Sequence, residues 1–195
     1  RVGYFVNNST DLTSYENFPN FALINKWRLI KKDPDAEISE PVEPIVFWVE
    51  NTTPEEIVPA VIAGIENWNI AFKEAGFKNA IVAKIQPEDA DWDAADYEYN
   101  VIRWSSEPDG GLLGIGPRVT NPLTGEIISA DVVNKLLAVK VGRNYRKLYG
   151  YTEDNDPLMQ YITNLTLHEV GHAIGLRHNF RGSYLYNPIE IHNKE

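Results

Sequence analysis

The run His168-Glu169-Val170-Gly171-His172-Ala173-Ile174-Gly175-Leu176-Arg177-His178 constrains this chain more than any other stretch. It reads H-E-x-x-H-x-x-G-x-x-H. On a helix, residues four apart share a face, so His168 and His172 turn two imidazoles toward one ion. Glu169 lies beside that pair, where it can hold and deprotonate a water that the ion activates. Gly175 has no Cβ and lets the backbone leave the helix in a conformation that other residues avoid. That turn swings His178 back as a third ligand. Three nitrogens and one open position make the donor set of a catalytic zinc, not a structural one. A lone histidine is ordinarily a core or surface residue, but three of the four histidines in this chain fall inside the run.

The same run matches the long zinc-binding signature of the metzincins, a clan of metallopeptidases with three histidine ligands. The resemblance implies that His168, His172 and His178 bind Zn2+ and that Glu169 is the general base of a zinc-dependent endopeptidase. The wider chain is similar to bacterial metzincin-type proteins of unknown substrate. That resemblance alone implies a protein or peptide substrate and an extracytoplasmic address (periplasmic, cell-surface or secreted). Metzincins carry a methionine turn downstream of the third histidine. Here the single methionine, Met159, lies upstream, and only residues 179–195 follow His178. The chain is therefore read as a piece of a longer protease, truncated in its lower C-terminal subdomain, with a minimal or degenerate member of the family as the other reading.

Composition narrows the partners. The 195 residues carry a net charge of −10, which repels nucleic acid and anionic membrane. No run of eighteen apolar residues is present, so no bilayer span is expected. The absence of cysteine removes disulfides, thiolate zinc sites and cysteine nucleophiles together.

The expected fold class is α/β, of the α+β zincin type. It has a twisted mixed sheet of about five strands with one antiparallel edge, a long packing helix and a buried active-site helix. Residues 1–40 read as an N-terminal approach segment. Val2–Val6 and Ala22–Ile30 have strand character there, and residues 7–10 and 32–35 have turn chemistry. The proline-containing acidic stretch 33–44 is a loop that marks the boundary of a catalytic domain over 41–195. Ile45–Val49 is a continuous apolar run that fits a buried strand. Thr53-Pro54-Glu55-Glu56 looks like a helix start. Ile57, Val61, Ile65, Trp68 and Phe72 then recur at helical spacing as a core face, and Gly76 is the stop. Ala80–Ile85 completes a βαβ unit with parallel strands. Asp89, Asp91 and Asp93 alternate as at the start of a calcium loop, but Ala94 stands where the loop glycine belongs and Asn100 where the bidentate Glu belongs. A solvated acidic loop is the reading, with Ca2+ kept as a secondary cofactor because the matrixins, a metzincin branch, carry structural calcium.

Asn100–Trp104 is a third strand. Residues 109–119 and 125–133 read as two more, joined through Asn121–Gly125. Their glycines and Pro117 mark the first of these as an edge. The segment resembles the glycine-rich edge strand that precedes the zinc helix in matrixins and pairs there with extended peptide. The resemblance implies substrate contact at Leu113, Gly114 and Ile115, although this chain has neither histidine of the matrixin pair in that segment. Lys135–Tyr149 is a second helix with a solvated basic face. Asp156-Pro157 opens the motif helix as cap and first-turn proline. That helix is apolar nearly all round apart from a strip at Gln160, Asn164 and Gly171, which buries it and sets its His and Glu side chains on a protected cleft floor. Two other readings accompany the peptidase: a non-catalytic binding or structural module that kept zinc, and a zinc hydrolase of non-peptide amides or esters.

Overall fold

The computed structural model describes residues 3–16, 20–107, 114–150 and 157–192. Its centre is a five-stranded sheet in the order β4-β3-β5-β9-β6. β3 (Ile45–Val49), β4 (Ile81–Ile85), β5 (Asn100–Ser105) and β9 (Val132–Lys135) run parallel, and β6 (Gly114–Ile115) closes one edge antiparallel to β9. The expected sheet, with one antiparallel edge strand, is the sheet observed. Ile45, Phe47 and Val49 turn inward from β3, while Val46 and Trp48 are half-buried. The run is continuous in hydrophobicity because its second face is also covered: Trp92 and Tyr99 of the acidic loop pack edge-on against Trp48.

Between β3 and β4 the chain forms α1 (Val58–Glu66) and α2 (Trp68–Glu74), then turns off at Gly76. The apolar spacing is borne out: Ile57, Val61 and Ile65 are fully buried, and Trp68 and Phe72 pack against the core. The helix starts later than Thr53-Pro54 indicated. Residues 55–57 form a turn closed by Ile57 N–H on Pro54 O, and Pro59 occupies the first helical turn. A helix begun at Pro54 would carry Pro59 in its interior, where the missing N–H and the ring would break it.

The two strands read over 109–119 and 125–133 each divide. β6 and β7 (Arg118–Thr120) are separated at Gly116-Pro117; residues 109–113 lie outside the described residues. β8 (Ile127–Ala130) pairs with β7 as a separate hairpin through Asn121–Gly125, and the chain passes at Asp131 into β9 of the main sheet. Side chains from β5 and from the junction itself satisfy the backbone at this break. Asn100 Oδ1 accepts from the Ala130 N–H, and Asp131 Oδ1 accepts from the Val101 N–H. Burial raises the Asp131 pKa, opposed by that hydrogen bond and by Arg103.

α3 (Leu136–Tyr149) leads to the motif helix α4 (Leu158–Ala173), whose first residue follows Pro157; Asp156 lies outside the described residues. α4 crosses α1 at short range, because a Cβ on Gly64 would meet the Thr166 Cβ at 2.6 Å. Thr166 is fully buried and accepts from Asn134 Nδ2 of β9, which pins the helix to the sheet. No helix among the described residues is long and apolar enough to cross a membrane.

The N-terminal hairpin departs from its sequence reading. Asn7-Asn8-Ser9-Thr10, read as a turn, belongs to β1 (Val6–Thr10), which pairs with β2 (Asn20–Ile24). Asn7 is held there by long-range partners: its Oδ1 accepts from Asn25 Nδ2 and its Nδ2 donates to Thr120 Oγ1. These contacts outweigh the local turn preference of asparagine. Just before β1, Tyr4 bridges Leu176 in antiparallel fashion. The first strand-like residues thus pair with the chain that leaves the motif helix.

Candidate metal centre

α4 delivers His168 and His172 one turn apart, and the helix ends at Ala173. Gly175 then takes φ +106°, with its absent Cβ only 2.6 Å from the Asn25 carbonyl oxygen. The turn is held on its other side by the N-terminal segment: Phe5 N–H donates to Gly175 O at 3.0 Å, and Arg177 N–H donates to Gly3 O at 2.9 Å. Fixed in this way, His178 returns to the helix. Its Nε2 lies 3.1 Å from Nε2 of His172 and 3.0 Å from Nε2 of His168.

The three imidazoles fit a divalent metal. His172 Nδ1 lies 2.8 Å from the Leu176 carbonyl oxygen, so the ring proton sits on Nδ1 and Nε2 presents a bare lone pair. A ring proton on one Nε2 satisfies only one of its two neighbours, whereas a cation is shared by all three. Tetrahedral zinc with Zn–N of about 2.0–2.1 Å holds its nitrogens roughly 3.3 Å apart, close to the separations here. His168 is held below the ordinary histidine pKa, first by partial desolvation of its ring and then by repulsion from His172 and His178, which favours the neutral ligand form. Among the described residues this trio is the one grouping of three or more His, Cys, Asp or Glu side chains with metal-ligand spacing.

Glu169 is 7 % exposed and follows His168 on α4. Burial pushes its carboxyl above the usual range, while the imidazoles of His172 and His178 draw it back down. The histidines themselves are more open than the helix pattern indicated, since His168 and His178 are exposed and His172 is half-buried. They stand between two cavities of about 450 and 460 Å3 rather than on a closed floor. Gly171, read as part of a polar strip, is buried: a Cβ there would lie 2.8 Å from the Trp68 ring. Trp68 also donates Nε1 to Leu167 O at 2.9 Å, so the core tryptophan forms a wall of the site as well.

Of the edge residues named from the sequence, Gly114 and Ile115 form β6, and Leu113 lies outside the described residues. The chain just after β6 runs over α4: a Cβ on Gly116 would sit 3.1 Å from Glu169 O and 3.4 Å from the His172 Cβ. The sheet edge therefore passes beside the histidines. Two carboxylates of the acidic loop turn to local backbone, Asp93 Oδ1 accepting from Ala95 N–H and Asp96 Oδ1 from Glu98 N–H.

Phe5 is a site residue that the motif does not announce. Its ring meets His172 edge-on at 5.9 Å, and the Arg118 guanidinium lies over it at 3.6 Å. It backs the His172 ring much as a hydrogen-bonding outer partner would. Phe5→Ala is expected to weaken zinc affinity about tenfold, at the lower end for outer-shell changes, measured by competition with a chromophoric chelator. Unchanged affinity would show that His172 needs no support from the N-terminal segment.

Comparison with curated proteins and with solved structures returned no match. Residues 151–195 match a family model described as Met-zincin. That segment carries α4, the Gly175 turn and all three clustered histidines, and the match supports a metzincin-like metal centre in this part of the chain.

Proposed function

We propose that this chain carries the active centre of a zinc-dependent endopeptidase, matrixin-like in the way an edge strand runs beside the zinc helix. His168, His172 and His178 are its zinc ligands. Zinc bound there supplies Lewis acidity, polarising a scissile carbonyl and lowering the pKa of water at its open position. The Glu169 carboxylate takes the proton from the attacking water and returns it to the leaving amine. Its burial favours this work, because a carboxyl with a raised pKa is a stronger base. The His172 Nδ1 contact with Leu176 O keeps that ring oriented as a ligand. Extended substrate would add along the sheet edge formed by β6 at Gly114 and Ile115, the residues that with Leu113 were expected to contact it, through main-chain hydrogen bonds.

One observation carries the reading: three Nε2 atoms converge at an open cavity, and the buried Glu169, on the same helix, lies close enough to feel the charge of His172 and His178. A structural zinc site is closed and has no need of such a glutamate. The test is digestion of an unfolded protein substrate by the chain, alone and within any longer native polypeptide, with zinc and after chelation. Chelator-sensitive cleavage that returns with zinc is expected. Zinc binding without any cleavage would favour the non-catalytic module, and chelator-sensitive cleavage of esters alone would favour the non-peptide hydrolase.

A further inference from the structure

Arg177 is a charge inside the motif that the zinc chemistry leaves unused. Its stem is fixed along Gly3, whose absent Cβ would lie 3.4 Å from Arg177 Cβ and 3.5 Å from its Cδ. Its guanidinium lies 5.9 Å from the Phe5 ring centroid, on a ring that Arg118 also covers. Arg118 donates Nε to Asn25 Oδ1 at 3.3 Å. The chain has 28 acidic residues against 18 basic ones. Even so, among the described residues neither guanidinium has a carboxylate within ion-pair distance. Arg177 lines both cavities that flank the histidines, and no acidic side chain among the described residues lines either. One of them is bounded by Gly3, Phe5, His172, Arg177, His178 and Phe180.

We infer that this cavity takes a peptide carboxylate on Arg177, either a C-terminal carboxylate or an Asp or Glu side chain; the inference rests on the peptidase reading. A guanidinium offers two parallel N–H donors matched to a carboxylate, and its weak hydration lowers the penalty for closing on one. Arg118, behind Phe5, adds positive potential to the same wall. Arg177 is then a specificity residue, sorting substrates by charge next to the metal centre.

The experiment reads binding, not turnover. Four fluorophore-labelled pentapeptides are titrated at pH 8 into the metal-free and the zinc-loaded chain. One has a free C-terminal carboxylate and no acidic side chain, the second is its amide, the third is an amide with one Glu, and the fourth has Gln in that place. At least one carboxylate peptide is expected to bind about tenfold tighter than its neutral twin, in keeping with a charge-assisted pair. The preference should persist without zinc, which excludes a carboxylate–metal contact as its source. Arg177→Gln should abolish it, and Arg177→Lys should keep a smaller part, since an ammonium lacks the fork. Equal binding of the twins, failure of all four to bind, or a preference that survives Arg177→Gln overturns the inference. Hydrolysis is scored separately by the chelator experiment. Cleavage without charge preference removes this inference alone, and charge preference without cleavage removes the peptidase reading alone.

Discussion

Glu169→Gln is expected to keep its zinc and to lose peptide hydrolysis by about 10²–10⁴-fold, the range that a positioned general base contributes. The substitution is nearly isosteric and touches none of the three nitrogens that converge on the metal position. It removes the carboxylate that the proposal assigns to accept a proton from water. Glu169 is buried, and burial disfavours its charge, so an uncharged amide in the same space should not unfold the helix. Loss of activity should therefore come with an unchanged circular dichroism spectrum and an unchanged zinc content by atomic absorption. A variant that hydrolyses at the rate of the parent would remove Glu169 from the mechanism. A variant that loses zinc would instead show that the carboxylate helps to hold the ion.

The parts of this site legible in the sequence are those set by local geometry. Histidines four apart, a glutamate beside them and a glycine at the helix end mark the motif helix and the turn after it, although residues 3–5 hold that turn in place. The antiparallel edge was legible for a related reason: glycines and Pro117 are ill-suited to a central strand, so β6 had to lie at a border. The start of α1 was misread because two proline-led openings lie five residues apart. The second, at Pro59, decides the matter, since a helix tolerates proline only in its first turn.

What the sequence withheld is set by long-range pairing. Nothing near Phe5 marks it as a neighbour of His172, from which it is separated by most of the chain. The two meet because residues 3–5 pair with 175–177. The segment read as an approach to the domain is thus a wall of the metal centre. The same pairing explains why Asn7–Thr10 is strand and not turn, since β1 continues that ribbon and its Asn7 bonds to Asn25 and Thr120. Side-chain openness was also beyond the helical wheel. The wheel buried the whole helix, whereas the face bearing His168 looks onto a cavity that Trp68 and Phe180 bound.

Gly175→Ala should unfold the motif turn and, with it, the third ligand. Two effects combine there. The φ of +106° is a region that L side chains avoid, at about 1–3 kcal/mol. The added Cβ would also stand 2.6 Å from the Asn25 carbonyl oxygen, a backbone atom whose own residue is 3 % exposed and tied to Phe5 O through its N–H. Neither side yields without breaking the pairing of residues 3–5 with 175–177. The expected loss is about 3 kcal/mol of stability, or roughly 6–12 °C in Tm for a chain of this size, together with a fall in zinc affinity as His178 leaves the trio. Gly150→Ala is the matched control. Gly150 has φ +69° but nothing within 4 Å of its Cβ position, so it reports backbone strain alone, about 1–2 kcal/mol, with zinc affinity unchanged. If the two variants lose stability equally and both keep zinc, the close approach at Asn25 does not position His178. A larger Tm loss in Gly175→Ala, joined to weakened zinc binding, would establish that the N-terminal segment and the histidine trio form one cooperative unit.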